Sequence, residues 1–203
     1  MSLSFESVRK EFYRRLLERA SRGLAERGWE AYVVESRGEA RERALSLIPE
    51  DHSVGVPGSA TVREVGLVEA LRASGRRVVE HWIEAPAEER RKLMREEVIQ
   101  DAFVHSPNAV TTDGEVVVLD WFGNRIAGTV LGPRVLVLIA GANKVVEGLD
   151  RALERARKVA AEMNALRLGK SVEEIVSYAL VIHRAPPAIE RKCVILVNEF
   201  LGF

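Results

Sequence analysis

The part of this sequence best suited to chemistry is the segment 54–71, in which a Gly-Ser-Ala-Thr run follows a short apolar stretch. The spacing predicts a strand, a loop and then a helix. Such a loop points backbone N–H groups and hydroxyls at one place, where the helix dipole adds partial positive charge. The segment therefore predicts a phosphate or carboxylate site, although an ordinary turn with a good N-cap explains the same residues equally well. Its ligand-binding candidates are Gly55, Gly58, Ser59 and Thr61.

Three further predicted strand ends carry polar residues that suit an anionic or hydroxylated small molecule. They are residues 105–108, 141–144 and 198–199, and the turn at 123–125 is expected near them. In open α/β sheets, ligands bind beyond the carboxyl ends of the strands. Amides and cations suit ligand oxygens, and carboxylates suit proton transfer. The additional ligand-binding candidates are Asn108, Asn124, Arg125, Asn143 and Lys144, and the acid–base candidates are Glu199 and Asp113.

Each of these residues also has a purely structural interpretation. Asp113 precedes Gly114 in a predicted tight turn, which by itself accounts for the aspartate. The asparagines can satisfy backbone groups at turns, and Arg125 can be a surface cation. For Lys144 and Glu199 the sequence favours neither interpretation.

The composition excludes several classes of protein. Thirty basic and thirty acidic residues give a formal net charge of +0, so neither nucleic acid nor a membrane is an expected partner. The only cysteine, Cys193, excludes an internal disulfide, and the histidines have no ligand spacing, so we predict no metal or other cofactor. The segment 54–71 matches neither a P-loop nor a GxGxxG fingerprint. The absence of a signal peptide or spanning helix predicts a cytoplasmic protein, and the high charge content is typical of thermophiles.

The order of the predicted elements indicates an α/β fold with a mainly parallel sheet, helices on both faces and a β-hairpin excursion. We expect one domain over residues 1–203, with a helical N-terminal lead-in (1–50) and an α/β core (51–203). The predicted helices are Phe5–Arg27, Arg37–Leu47, one from the Ser59 or Thr61 cap to Gly75, Ala85–Gln100, Val145–Leu166 and Ser171–Ser177. The predicted strands are Ala31–Val34, Ser53–Val56, Arg77–Glu80, Ala102–His105, Asn108–Thr112, Glu115–Asp120, Arg134–Ala140, Tyr178–His183 and Lys192–Asn198.

Four segments, in this order, resemble the lactate-utilisation (LUD) domain family, the LutC/YkgG-like proteins. They are VGVPGSATVREVGLVEALRASG, HSPNAVTTDGEVVVLDWFGNRIAG, VLVLIAGANKVV with its long helix, and VILVNEFLGF, and they cover most of the chain after residue 50. The resemblance implies the three-layer fold of ribose-5-phosphate isomerase, glucosamine-6-phosphate deaminase and the CoA transferases. In those enzymes a similar strand–loop–helix segment binds a phosphate or carboxylate, in agreement with the interpretation of residues 58–61.

The resemblance also implies a role in oxidising L-lactate to pyruvate, in a three-gene system whose iron–sulfur partner is thought to handle the electrons. The sequence departs from the family in one segment, because the cysteine-rich interval of many members reads LGKSVEEIVSYALVIH here. The catalytic runs of the isomerases, deaminases and CoA transferases are also missing, and a fold does not fix a function.

Three functions therefore stay open. The first is an accessory subunit that binds a small anionic metabolite and acts with an iron–sulfur oxidoreductase. The second is a stand-alone enzyme acting on a sugar phosphate, hydroxy acid or CoA thioester, and the third is a regulatory module that binds such a metabolite. The missing catalytic runs favour the first over the second. A homo-oligomer is compatible with each of them.

Overall fold

The computed structural model describes residues 4–203, which form two sheets and their covering helices. The strands are β1 (Glu30–Val34), β2 (Val54–Val56), β3 (Val78–Glu80), β4 (Ala102–His105), β5 (Ala109–Thr111), β6 (Val116–Asp120), β7 (Val135–Gly141), β8 (Val145–Val146), β9 (Tyr178–Ile182) and β10 (Arg191–Val197). The helices are α1 (Phe5–Glu26), α2 (Arg37–Leu47), α3 (Ala60–Glu64), α4 (Leu67–Ala73), α5 (Ala87–Val98), α6 (Asn124–Val130), α7 (Leu149–Arg155), α8 (Glu162–Leu168) and α9 (Val172–Ile175), with a 3₁₀ turn at Ala142–Lys144 and a π-helical segment at Ala156–Ala161.

The main sheet has six strands in the order β1-β10-β7-β4-β2-β3, and every pair in it is parallel. Its central strand β7 is buried along its whole length, as the apolar run predicted. Because all six strands run the same way, their carboxyl ends meet at one edge. The predicted α/β class with a mainly parallel sheet is confirmed.

Helices cover both faces of this sheet. On one face, apolar residues of α2, α3 and α4 pack against the sheet in one cluster that includes Leu47, Val62 and Leu71. On the other face, α1 contributes Leu17 and Leu24 to a second cluster, which the second sheet completes. Since β1 pairs with β10, residues of the expected N-terminal lead-in form an edge strand of the main sheet.

The second sheet has the order β8-β5-β6-β9 and contains the predicted hairpin. β5 and β6 are antiparallel, and Gly114 in their turn has a φ of 86°, which explains the Asp-Gly sequence. β9 adds to β6 in antiparallel fashion. The hairpin turn packs closely on α1, because a Cβ at Gly23 would lie 2.5 Å from the carbonyl carbon of Asp113.

The helices differ from the sequence prediction in three places. The helix predicted to end at Gly75 is two helices, because Gly66 adopts a φ of 71° between them. The helix predicted to begin at Val145 begins at Leu149 instead, since residues 145–146 pair with β5 as β8. Helix α6, which follows Gly123 with its φ of 88°, was not predicted. No helix within residues 4–203 combines the length and apolar character needed to cross a bilayer.

Candidate functional site

A cavity of about 530 Å³ lies at the carboxyl ends of β3, β2, β4 and β7. Its floor is formed by the loops that follow these strands. The start of α6 and the end of β6 form another part of the wall, and the π-helical segment contributes Ala160 and Ala161. π-helical turns often occur at functional sites, and the carboxyl edge of a parallel sheet is the usual ligand position.

Lys144 lies at the floor of this cavity and is only 4% exposed. Its Nζ donates to the Thr61 hydroxyl at 2.9 Å, to the Ser106 hydroxyl at 2.8 Å and to the Pro107 carbonyl at 3.4 Å. All three acceptors are neutral, so the ammonium has no carboxylate hydrogen-bond partner within residues 4–203. Burial, with the positive charges of Arg155 and Arg125, lowers the pKa of Lys144 well below its usual value, against the charge of Glu64, which raises it.

Two arginines near Lys144 are also held by neutral groups. Arg125, in the first turn of α6, donates to the Gly58 carbonyl at 2.7 Å, and its Nε is buried without a hydrogen-bond partner in the part of the chain described. Arg155 donates to the carbonyls of Asn143, at 2.7 Å, and of Asn108. Burial lowers the pKa of Arg155 to about 10.

The carboxylates closest to Arg125 are occupied by other donors. Asp120 accepts from the backbone N–H groups of Trp121, at 2.8 Å, and of Ile126, at 3.2 Å, and so caps the start of α6. Glu97 accepts from the Asn124 amide at 2.5 Å and from His81. The basic residues of the lining outnumber the acidic ones, five to one, since it contains Arg90, Arg91, Arg125, Lys144 and Arg167 but only Asp120. The cavity therefore suits an anion.

The predicted Gly-Ser-Ala-Thr loop lies at the floor beside Lys144. Ser59 caps α3, with its hydroxyl accepting from the Val62 N–H at 3.4 Å. Thr61 is 1% exposed, and its hydroxyl accepts from Lys144. The indole of Trp82 covers Gly58 so closely that a Cβ there would lie 2.0 Å from the indole Nε1. Glycine is therefore required by the packing of Trp82.

His81 is a cavity residue that the sequence analysis did not select. It is 8% exposed, and its Nδ1 lies 2.9 Å from Oε2 of Glu97, which is fully buried. Burial raises the pKa of Glu97, against the hydrogen bonds from His81 and Asn124 and the charge of Arg125, which lower it. The arrangement is that of an imidazole oriented by a carboxylate, which is a proton-transfer pair.

His105 lies beneath the same floor, fully buried at the end of β4. Its Nε2 is 2.7 Å from the Thr129 hydroxyl and its Nδ1 is 3.2 Å from the Ser106 carbonyl. Burial, with the charges of Arg125 and Lys144, lowers the pKa of His105 to about 3. This histidine is therefore neutral at physiological pH.

Most of the predicted ligand-binding residues meet in the cavity. They are Gly58, Ser59, Thr61, Asn108, Asn124, Arg125 and Lys144. Gly55 and Asn143 are not part of the lining. A Cβ at Gly55 would lie 1.9 Å from the carbonyl oxygen of Glu97, so this glycine allows α5 to pack on β2. Asn143 binds the C-terminal segment, with its Oδ1 accepting from the Leu201 N–H at 3.0 Å.

Neither predicted acid–base residue lies in the cavity. Glu199 follows β10, and its Oε2 accepts from Nε of Arg37 at 2.7 Å, in an ion pair on the β1 side of the sheet. Asp113 is in the hairpin turn, where its carbonyl accepts from Arg27 at 2.5 Å. Their acid–base role stays a prediction that this geometry does not favour.

The family comparison agrees with this architecture. A model of the LUD domain matches residues 17–197, which is most of the chain. The chain belongs to the LUD domain family. The resemblance seen in the four sequence segments is thereby confirmed. A search of curated proteins finds no significant match to this LUD-domain chain.

A solved structure supports the fold of this LUD-domain chain. This chain is similar to the crystal structure of a DUF162 family protein from Deinococcus radiodurans, with a TM-score of 0.57 and 14% sequence identity. The alignment covers 91% of this chain and 98% of the other. At this identity the likeness shows the fold alone.

Proposed function

We propose that this LUD-domain protein binds a small carboxylate of hydroxy-acid metabolism in the cavity, in the use of L-lactate or a related hydroxy acid. The observation that supports this most is the pair of cations in the lining, Lys144 and Arg125, with Arg155 beside them. Within residues 4–203 the three donate to carbonyls and hydroxyls and to no carboxylate. Buried charge without a hydrogen-bonded counterion is costly, and a ligand carboxylate would offset that cost.

The size and lining of the cavity agree with a small ligand. A volume of about 530 Å³ is ample for a three-carbon acid and falls within the usual range for small-molecule sites. Charge-assisted hydrogen bonds from a lysine and an arginine are stronger than neutral ones. The cavity therefore offers both the room and the donors for a carboxylate.

The accessory role with an iron–sulfur partner is supported by the mouth of the cavity. Oxidation of a hydroxy acid needs an electron acceptor, and one buried cysteine cannot hold an iron–sulfur cluster. Phe122 and Ile83, which line the cavity, are 54% and 40% exposed. Exposed apolar residues beside a site suit a protein partner. The alternative is a stand-alone enzyme, which the His81–Glu97 pair supports.

Calorimetric titration with L-lactate, pyruvate, ribose 5-phosphate and CoA tests the carboxylate site. Lys144→Met should weaken binding of L-lactate or pyruvate about 10- to 100-fold, because a hydrogen bond to a charged group contributes about 1.5–3 kcal/mol. Lys158→Met is the matched control, since Lys158 pairs with Glu154 at 2.7 Å on the surface. It should leave the affinity unchanged.

The titration can contradict the proposal in two ways. Binding of neither L-lactate nor pyruvate by the wild type would refute it, and so would equal affinity in Lys144→Met. To separate the accessory role from the enzyme, dye reduction by L-lactate is measured with the chain alone and with the iron–sulfur subunit. Activity of the chain alone would contradict the accessory role.

A further inference from the structure

We propose that His81 is a general base and acid in this cavity, and that the protein exchanges the C–H proton beside the carbonyl group of a bound 2-oxo carboxylate. Glu97 is the positioning residue for His81. The inference rests on the proposed carboxylate site and adds an activity to it.

The hydrogen bonds around Glu97 fix the tautomer of His81. One oxygen of Glu97 accepts from the Asn124 amide at 2.5 Å, and the other lies 2.9 Å from Nδ1 of His81. A carboxylate whose two oxygens both accept leaves the proton on Nδ1 of the imidazole. Nε2 then carries the free lone pair. It has no hydrogen-bond partner within residues 4–203, and His81 lines the cavity.

The other histidines bonded to polar groups do not offer such a nitrogen to a cavity. His183 also bonds a glutamate, with Nδ1 2.7 Å from Glu115, but its side chain is 63% exposed and lies outside the cavity lining. Both ring nitrogens of His105 have protein partners. Among these three histidines, His81 alone combines a buried carboxylate partner with a free nitrogen at the cavity.

The proton-transfer step needs no oxidant. Nε2 of His81 takes a proton from the carbon beside the carbonyl. The C–H electron pair forms the new C=C bond, and the carbonyl π pair moves to oxygen to give an enolate. The reverse step returns a proton from His81, which by then has exchanged with solvent. The net reaction replaces one C–H hydrogen by a solvent hydrogen.

The cations of the floor suit the charges that this step creates. A 2-oxo carboxylate carries one negative charge when bound, and the enolate carries a second on its oxygen. Lys144 and Arg125 line the same cavity, so one can hold the carboxylate while the other stabilises the enolate oxygen. Glu97 stabilises the protonated imidazole that forms at the same moment.

Proton NMR of pyruvate in D₂O tests the inference, because exchange at C3 removes the methyl signal. The wild type should exchange well above the rate of buffer alone. His81→Asn and His81→Gln, which keep a polar group beside Glu97, should exchange at least about 100-fold more slowly, the usual size of an acid–base contribution. His183→Asn is the matched control and should exchange at the wild-type rate.

Glu97→Gln tests the positioning role. It should lower the maximal exchange rate with little change in pyruvate affinity, because an uncharged amide orients the imidazole less firmly and does not stabilise its protonated form. A loss of affinity as large as the loss of rate would indicate a general structural role, and exchange at the wild-type rate would contradict the positioning role.

Binding and exchange are measured on the same samples so that the two proposals can fail separately. Pyruvate that binds the wild type without exchange above the buffer rate overturns the acid–base role and leaves the carboxylate site standing. Exchange that persists in both folded His81 variants also overturns it. Failure of pyruvate to bind overturns the acid–base role, and failure of both pyruvate and L-lactate to bind refutes both proposals.

Discussion

The basic residues of helix α1 and those at the cavity floor differ in the groups that face them. On α1, Arg14 lies 3.3 Å from Glu18, and Arg19 lies 2.9 Å from Glu147. At the floor, Lys144 and Arg125 donate to hydroxyls and carbonyls alone within residues 4–203, as does Arg155 beside them. Carboxylates therefore accompany the cations where water already screens them and not where desolvation costs most.

This difference indicates what each set of charges is for. An exposed ion pair contributes little to stability, and its partners can be exchanged at small cost. A buried cation with neutral partners lowers the stability of the empty protein and leaves its charge available to a ligand. The cavity floor thus has the properties of a binding site rather than of a stabilising network.

The largest effect that we expect from this contrast is a loss of stability in acid. Burial, with the charges of Arg125 and Lys144, lowers the pKa of His105 to about 3, below its usual value of about 6.5. The folded protein then resists protonation of His105 more than the unfolded chain does. The contribution of this histidine to the unfolding free energy is therefore fully present above pH 6.5 and is lost as the pH falls toward 3. Between pH 7 and pH 5 this histidine should cost about 2 kcal/mol of unfolding free energy.

Urea denaturation at the two pH values measures this loss. His105→Gln does not titrate, so its unfolding free energy should fall less than that of the wild type over the same interval. Equal losses in the two proteins would show that His105 is not held neutral by its burial beside the two cations.

A second effect concerns the pH dependence of ligand affinity. Because the pKa of Lys144 is lowered in the empty cavity, a bound carboxylate favours the ammonium and raises that pKa again. Affinity for pyruvate should therefore fall as the pH rises, by at most about tenfold per pH unit for one proton. Calorimetry at several pH values should show that the affinity of Lys144→Met for pyruvate changes less with pH than that of the wild type.

A third prediction concerns a buried charge that does have partners. Glu80 is 5% exposed and pairs with Arg63 and, at 2.6 Å, with Arg72. Glu80→Gln should lower the unfolding free energy by about 2 kcal/mol, less than for a fully buried pair because both arginines are partly exposed. Lys144→Met should cost less, since Thr61 and Ser106 keep their own bonds to backbone carbonyls. If urea denaturation showed a larger loss of unfolding free energy for Lys144→Met than for Glu80→Gln, the contrast between paired and unpaired buried charges would be contradicted.

The sequence predicted the fold well because its signals are local. The apolar run of β7, the Asp-Gly turn and the glycine-containing loop after β2 each indicate one element. Lys144 could be selected because it lies in the short turn after the most apolar strand of the chain. Arg125 could be selected from its place after the hairpin, although the helix that holds it was not predicted.

The rest of the site depends on contacts that local patterns do not contain. Glu97 lies in a helix whose charged sequence predicts an exposed position. Nothing in that sequence distinguishes Glu97 from Glu96, which pairs with Arg77 at the surface. His81 and Glu97 meet only when α5 packs on the sheet. Glu199 was selected because it follows a strand, but the strand order puts β10 beyond β7, where Arg37 neutralises it.

The smallest effect is expected for the ion pairs of α1. Arg19→Ala removes the contact with Glu147, whose side chain is 53% exposed, as that of Arg19 is 51% exposed. Such pairs contribute at most about 1 kcal/mol, and salt screens them. The unfolding free energy in urea should change within that limit, and the change should shrink as salt is added. A large, salt-independent loss would mean that the surface cations are also structural, and that the contrast with the cavity floor is one of position alone.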